Sequence, residues 1–527
     1  MSYFVYSRHK EGKLSGNGFW CKSEYQKGDG VKYHSNQITL ASLGQVVQKI
    51  NSKNGVFIHP EYGLVGIMIE NSELSFYDVD ITDYPHLLKN NLNVGTSFDF
   101  GTSYLLKQIL IKEKIYDVVD RVFPKKEDFD SFMSLIFWKI CSAGKRIKPD
   151  YFYTQDYISH LFPNALMDSA HITSLLTKLG SNEVYERFFS HYIPFVTKDI
   201  VNDIVAAIDS TALPNDIDNP LSYPTCHGNG SVNQIRMVVV LDQATNKPIW
   251  FKLVAGNLLD NQTIREVVEE CRAFNLSLKS ITLDAGYITK ENIKLFHGHF
   301  IEYIVRLKAN DNAYKDSIKR NKDKFRNKSY CFIENGRMFW GYKEQIKYNV
   351  GTTKEPEYID SYLYTYIDNT SADNHFVKFL ESEQVKDESD KVKMKEYNEH
   401  SYSGGLFMIM SSRDLTLSQC LNEYFKRGRI ESFFKRTKRN DLLPMAKQNE
   451  VTIRGHVLYN FLCGCVLLRI NDNLVGDVIS VDDVLVIPNA LKGTKTKTGI
   501  CIGSANRQTK EIYKKFNISI PKVLNDV

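Results

Sequence analysis

Nine cysteines in 527 residues fall into no zinc or redox spacing. Cys463 and Cys465 are one residue short of a C-x-x-C motif, and Cys226-His227 has no second ligand pair, so a structural zinc module and thioredoxin-like chemistry are excluded. Scattered cysteines of this kind read as reduced core thiols of a cytoplasmic protein. The most apolar run, residues 457–468, is interrupted by Asn460 and reads as too short to span a bilayer. The N-terminus has no basic-then-apolar signal pattern, so the expectation is a soluble chain without a membrane partner. There is no P-loop, and Gly228-Asn229-Gly230 lacks the third glycine of a dinucleotide fingerprint. Neither sign of charge dominates: 67 basic against 62 acidic residues leave +5, which permits nucleic-acid binding without arguing for it. No internal repeat or low-complexity tract is present.

What is present is a globular composition, 43% hydrophobic and 24% charged, in a chain too long for one core. Residues 1–85 alternate aromatic and polar positions between turn clusters and read as a small strand-containing N-terminal domain. Residues 86–200 change to helical periodicity. Within them, residues 157–162 and 169–179 flank a Pro163-Asn164 turn, with Gly180 ending the second segment, which suits a helix-turn-helix or a plain helical bundle. From Ile204 the pattern changes again. A short strand ends at Asp209; segments 237–241 and 248–254 form a hairpin around residues 245–247; then come a helix (261–274), a strand ending at Asp284, a helix (289–296) and a strand (301–307). This is the order of an α/β, ribonuclease-H-like mixed sheet that still lacks its last helix, which places the core at residues 201–307 and 406–470. Residues 308–405, aromatic and strand-prone at first and strongly charged over 381–396, read as a strand-rich insertion domain, because a structureless loop of that length is implausible. A mixed C-terminal region, 471–527, completes the chain.

The missing helix is expected over residues 417–437. Thr416 and Gln419 form a capping box, and Gly428 is the main breaker in the run that follows. At 3.6 residues per turn Tyr424, Arg427, Glu431 and Lys438 share one face, whereas Arg429 lies about 200° from Glu431. An acid between cations and a phenol suits a site handling metal ions and phosphates. By itself the pattern reads rather as a solvated face with Arg427 and Glu431 as an ordinary pair, and a lone strand-end aspartate is usually a turn former. Asp209, Asp284 and Glu431 in this order are harder to dismiss. Three converging carboxylates repel unless cations neutralise them, and two divalent ions would do so while clamping the oxygens of a phosphodiester.

These residues resemble the DDE transposases of bacterial insertion sequences, in the group marked by Y-x2-R-x3-E-x6-K (insertion-sequence family four). Tyr424, Arg427, Glu431 and Lys438 match that spacing throughout. Residues 208–211 resemble the block of the first aspartate, residues 283–287 that of the second, and residues 248–260 the segment between them. The resemblance spans about residues 100–523. It implies metal-dependent cleavage at transposon ends and strand transfer, with Asp209, Asp284 and Glu431 as catalytic ligands of Mg²⁺ or Mn²⁺. It implies that Tyr424, Arg427 and Lys438 contact DNA phosphates, that residues 86–200 are a helical DNA-binding region, and that the insertion before Glu431 is rich in strands. The partners implied are double-stranded DNA, as terminal inverted repeats and target, and a second copy on paired ends; the place is the bacterial cytoplasm, on nucleoid DNA. A host nuclease on the same core and a domesticated, catalytically inactive DNA-binding protein are the alternatives. Trp340, the single tryptophan of the insertion, matches no motif of the family.

Overall fold

The structure, a computed structural model, describes residues 2–7, 17–27, 33–59, 62–79, 96–142, 147–200, 203–215, 217–224, 233–324, 327–383, 404–438, 449–496 and 499–524. Two compact units divide the chain, the first made of Met1–Glu113, Met133–Met167 and Asn473–Val527, the second of Lys114–Phe132 and Asp168–Asp472.

In the first unit, β1 (Ser2–Ser7), β2 (Asn17–Lys27), β3 (Tyr33–Lys49), β4 (Asn54–His59), β5 (Gly63–Glu70) and β6 (Glu73–Asp78) form an antiparallel meander in sequence order. Alternating apolar residues put Val5, Leu43, Val46, Phe57 and Ile67 into one core. A four-stranded sheet joins β7 (Ser97–Asp99) to the strands Lys492–Thr496, Gly499–Ile502 and Val523–Leu524. Phe98, Phe100, Tyr157, Leu491 and Ile500 make its core.

The second unit is built on a ten-stranded sheet. Its first half contains β8 (Ile204–Pro214), the bridge strand β9 (Tyr223–Pro224), β10 (Asn233–Asp242), β11 (Lys247–Ala255), β12 (Leu278–Leu283) and β13 (Glu302–Arg306). The strands lie in the order β11-β10-β8-β12-β13. β8, β10 and β11 are antiparallel neighbours, while β12 runs parallel to both β8 and β13. The β10–β11 hairpin closes at Asn246, in the left-handed region at φ 55°. Residues 234–242 of β10 are all buried, as in a sheet covered on both faces.

The second half corrects the expectation of a separate domain at residues 308–405. β14 (Cys331–Glu334), β15 (Arg337–Asn349) and β16 (Tyr358–Asp368) continue the same sheet through β17 (Leu406–Ser411). β17 pairs with β13 on one side and β16 on the other, so no free edge separates core from insertion. Of the charged stretch at 381–396, residues from 384 onward lie outside the described residues.

Helices cover the sheet, among them α2 (Asn182–Thr197), whose Tyr185 and Tyr192 hydroxyls donate to the Phe251 and Pro248 carbonyls of β11. α1 (Ser169–Leu179) packs against α7 (Glu450–Asp472) at two glycines: a Cβ on Gly180 would come within 1.6 Å of the Val451 carbonyl oxygen, and one on Gly455 within 1.8 Å of that of Leu176. Gly180 ends α1 as expected, with an ordinary helical φ of −82°, and its missing side chain serves the close packing. The short helix Ile158–Leu161 belongs to the first unit and α1 to the second. α7 is a buried helix. At 23 residues it is long and apolar enough to cross a membrane, yet 83% of its apolar window is buried within the protein.

Candidate active site

Asp209 was expected at a strand end but sits inside β8, which continues to Pro214. The reason is the uneven support of that strand. Its parallel partner β12 stays with it only as far as Ala207, while β10 accompanies it to Pro214. Asp209 therefore emerges just where one flank of β8 has lost its neighbour. Asp284 follows β12 directly and begins a single 3-10 turn, Ala285–Tyr287. Gly286 in that turn does not need a left-handed φ; it gives room, since a Cβ there would lie 3.2 Å from an Asp260 carboxylate oxygen.

The expected single helix is two, α5 (Leu417–Lys426) and α6 (Gly428–Thr437). The capping box forms, with the Thr416 hydroxyl accepting from the Gln419 N–H and the Gln419 side chain accepting from the Thr416 N–H. At the junction Arg427 keeps helical angles (φ −54°, ψ −30°), but its N–H donates to the Tyr424 carbonyl and its carbonyl accepts from Ile430. These three-residue spacings tighten the chain for one turn ahead of Gly428. The strands of the insertion hold α5 in place. The Tyr366 hydroxyl donates to the Leu417 carbonyl, and the Tyr364 hydroxyl accepts from the Leu415 N–H at 2.6 Å. Tyr364, Tyr366 and Phe407 share a core with Cys420, Leu421 and Tyr424 of the helix.

This scaffold brings the acids together around one guanidinium. Arg427 donates to Asp209 at 2.7 Å and to Glu431 at 2.9 Å, and lies 3.9 Å from Asp284. The Tyr424 hydroxyl donates to Asp284 at 3.2 Å. Exposure grades outward, from 11% for the Arg427 side chain and 18% for Asp209 to 42% for Asp284 and 61% for Glu431. Burial pushes the Asp209 carboxyl up to about 6 against the opposing pull of Arg427. Burial, with the charge of Asp284 adding to it, pushes the Tyr424 phenol up to about 12. Burial disfavours the charge on Arg427, but the carboxylates, Asp209 foremost, outweigh it and hold the guanidinium's pKa above its ordinary value.

The remaining residues of the signature lie elsewhere. Lys438 caps α6 two turns beyond Glu431, about 10.5 Å along the axis, and burial lowers its pKa. Arg429 points away and pairs with Asp472 at the end of α7, at 3.2 Å. Three side chains not singled out in the sequence stand behind the acids: Ser210, Arg236 and Asp260, bonded to one another. Ser210 and Asp260 fall within the family-like segments 208–211 and 248–260, and Arg236 is signalled by a charge at the mouth of the apolar run 237–241.

Among the described residues, no group of three or more His, Cys, Asp or Glu side chains is arranged to hold a metal ion. Asp209, Asp284 and Glu431 converge instead as partners of Arg427. Their donor chemistry still fits a hard cation: three carboxylates gather on one positive charge, and their oxygens are the ligands Mg²⁺ prefers.

No curated protein sequence matches the chain. Among solved structures it is similar to a piggyBac transposase synaptic complex with hairpin DNA, determined by cryo-electron microscopy. The two are 12% identical over 73% of this chain and 78% of that one, at a TM-score of 0.39. Transposase DDE domains generally use divalent metal ions. The segment that holds Asp209, Asp284, Tyr424, Arg427 and Glu431, residues 202–463, matches the family model described as the transposase DDE domain.

Proposed function

We propose that the protein is a DNA transposase of the insertion-sequence group named above, with a ribonuclease-H-like core, cutting at transposon ends and joining them to target DNA. The observation that carries this reading is the meeting of Asp209, Asp284 and Glu431, from three distant parts of the chain, on one guanidinium. The central strand β8, antiparallel to β10 and parallel to β12, supports the choice of core. Bound Mg²⁺ or Mn²⁺ would supply charge neutralisation and an activated oxygen nucleophile.

The chain's own residues set the stage for that chemistry. Asp209, Asp284 and Glu431 are the ligands. Arg427 balances their charge, and its guanidinium is a planar donor suited to a phosphate when DNA enters. The Tyr424 hydroxyl, held in the acid form by burial, donates to Asp284 and orients that carboxylate. Lys438, two turns further along α6, reaches a phosphate outside the cluster.

The test uses a plasmid in which a marker is bordered by the inverted repeats expected beside the gene. Full-length protein with Mg²⁺ is expected to release the marker and join it to a second plasmid. Cuts without joined product would favour the nuclease, and end binding without cuts the inactive DNA-binding protein.

A further inference from the structure

Behind the carboxylates lies a buried ion pair that none of the steps above uses. The Arg236 side chain, on β10, is 7% exposed, and that of Asp260, the first residue of α3 (Asp260–Ala273), is 16% exposed. Arg236 donates to Asp260 at 2.5 Å, to the Ser210 hydroxyl, and to the Leu258 carbonyl at 2.8 Å. The Ser210 hydroxyl in turn donates to Asp260 at 2.6 Å. Ser210 is the neighbour of Asp209 on β8, and its N–H donates to the Asp209 carboxylate at 2.9 Å. Successive residues of a strand face opposite ways, so Asp209 and Ser210 read the two faces of β8 at one level.

The same aspartate supports the second acid. The turn that Asp284 begins passes over Asp260 at Gly286, where a Cβ would meet the carboxylate at 3.2 Å. Asn292, on α4 (Lys290–Gly298), donates to the carbonyls of Tyr287 and Asn261, at 2.8 and 2.9 Å, and so clamps that turn to the start of α3. A buried ion pair gives little net stability once its desolvation is counted, so its use here points to geometry.

We propose that Arg236 and Asp260 are positioning residues that set the spacing of Asp209 and Asp284, using the first turn of α3 as the spacer and Ser210 as the link. The proposal rests on the metal-dependent reading of the site. Breaking the pair lets the two aspartates drift independently, and metal affinity should suffer before DNA affinity does.

Mn²⁺ alone is the probe, titrated by electron paramagnetic resonance into the full-length, metal-free protein, with melting followed alongside. Arg236→Met should bind Mn²⁺ about 10–100-fold more weakly, the usual effect of losing a group that orients ligands. Arg236→Lys should recover part of that loss. Its kcat for DNA cleavage should fall in step, while KM for DNA stays within about threefold, because no phosphate contact has been removed. Ser210→Ala leaves both charges in place and should still weaken Mn²⁺ binding several-fold; it decides the matter should Arg236→Met not fold. Folded variants that bind Mn²⁺ like the wild type would overturn the positioning role. Wild-type protein that neither binds Mn²⁺ nor cuts DNA would overturn the proposed function itself.

Discussion

Arg427 holds Asp209 and Glu431 directly and stands within 4 Å of Asp284, so it is the residue on which the arrangement of the acids depends. Arg427→Ala leaves Asp209 buried beside two other acids, and a broken buried pair of this kind typically costs about 3 kcal/mol. The expected result is a lower melting temperature in EDTA, together with single-turnover DNA cleavage reduced about tenfold or more at matched DNA occupancy. Arg429→Ala removes only a half-exposed pair with Asp472, worth about 1 kcal/mol or less, and cleavage should stay within about twofold. Equal losses in the two variants would contradict this division. That division was legible in the sequence, because two and four residues along a helix point in different directions. What could not be read was that Arg427 turns inward: four-residue spacing places it beside Glu431, but nothing local announces Asp209 at 2.7 Å.

Elements report a similar mixture. The capping box of α5 and the β10–β11 hairpin are local, and both form where the sequence puts them. The end of β8 is not local, since it depends on which neighbours accompany the strand, and there the reading stopped short of Pro214. Gly180 and Gly286 are also set by distant chain, each lying where another segment approaches closely. A pH effect belongs to this scale. Asp156 lies beside β7 and accepts from the Ile158 N–H at 3.0 Å, and burial pushes its carboxyl from 3.8 up to about 7. Between those values the folded protein keeps a proton that the unfolded chain has lost, so stability contributed here is highest at acid pH and falls as pH rises through the window. Denaturant unfolding measured at several pH values should show this slope for the wild type and lose it in Asp156→Asn. An unchanged slope in the variant would assign it to other groups.

Across the second unit, one continuous sheet explains why the insertion and the acids belong together. β16 lends two tyrosine hydroxyls to the start of α5, and α5 leads straight to Arg427 and Glu431. The sequence could show that residues 308–405 are rich in strands, but sheet membership is set by pairing across distant chain, which no local pattern encodes. The apolar helix at residues 450–472 is long enough to cross a membrane, but its burial within the protein decides what it does. Asp209, Asp284 and Glu431, gathered on Arg427, are the carboxylates on which the proposed metal-dependent reading rests. The decisive measurement is Mg²⁺-dependent DNA cleavage by Asp209→Asn, Asp284→Asn and Glu431→Gln, with DNA binding followed in the same samples. Each variant should bind DNA nearly as the wild type does and cut it at about a thousandth of the rate or less, a loss of roughly 4 kcal/mol of transition-state stabilisation. Cleavage that survives any one of these substitutions would contradict a shared site built from all three carboxylates.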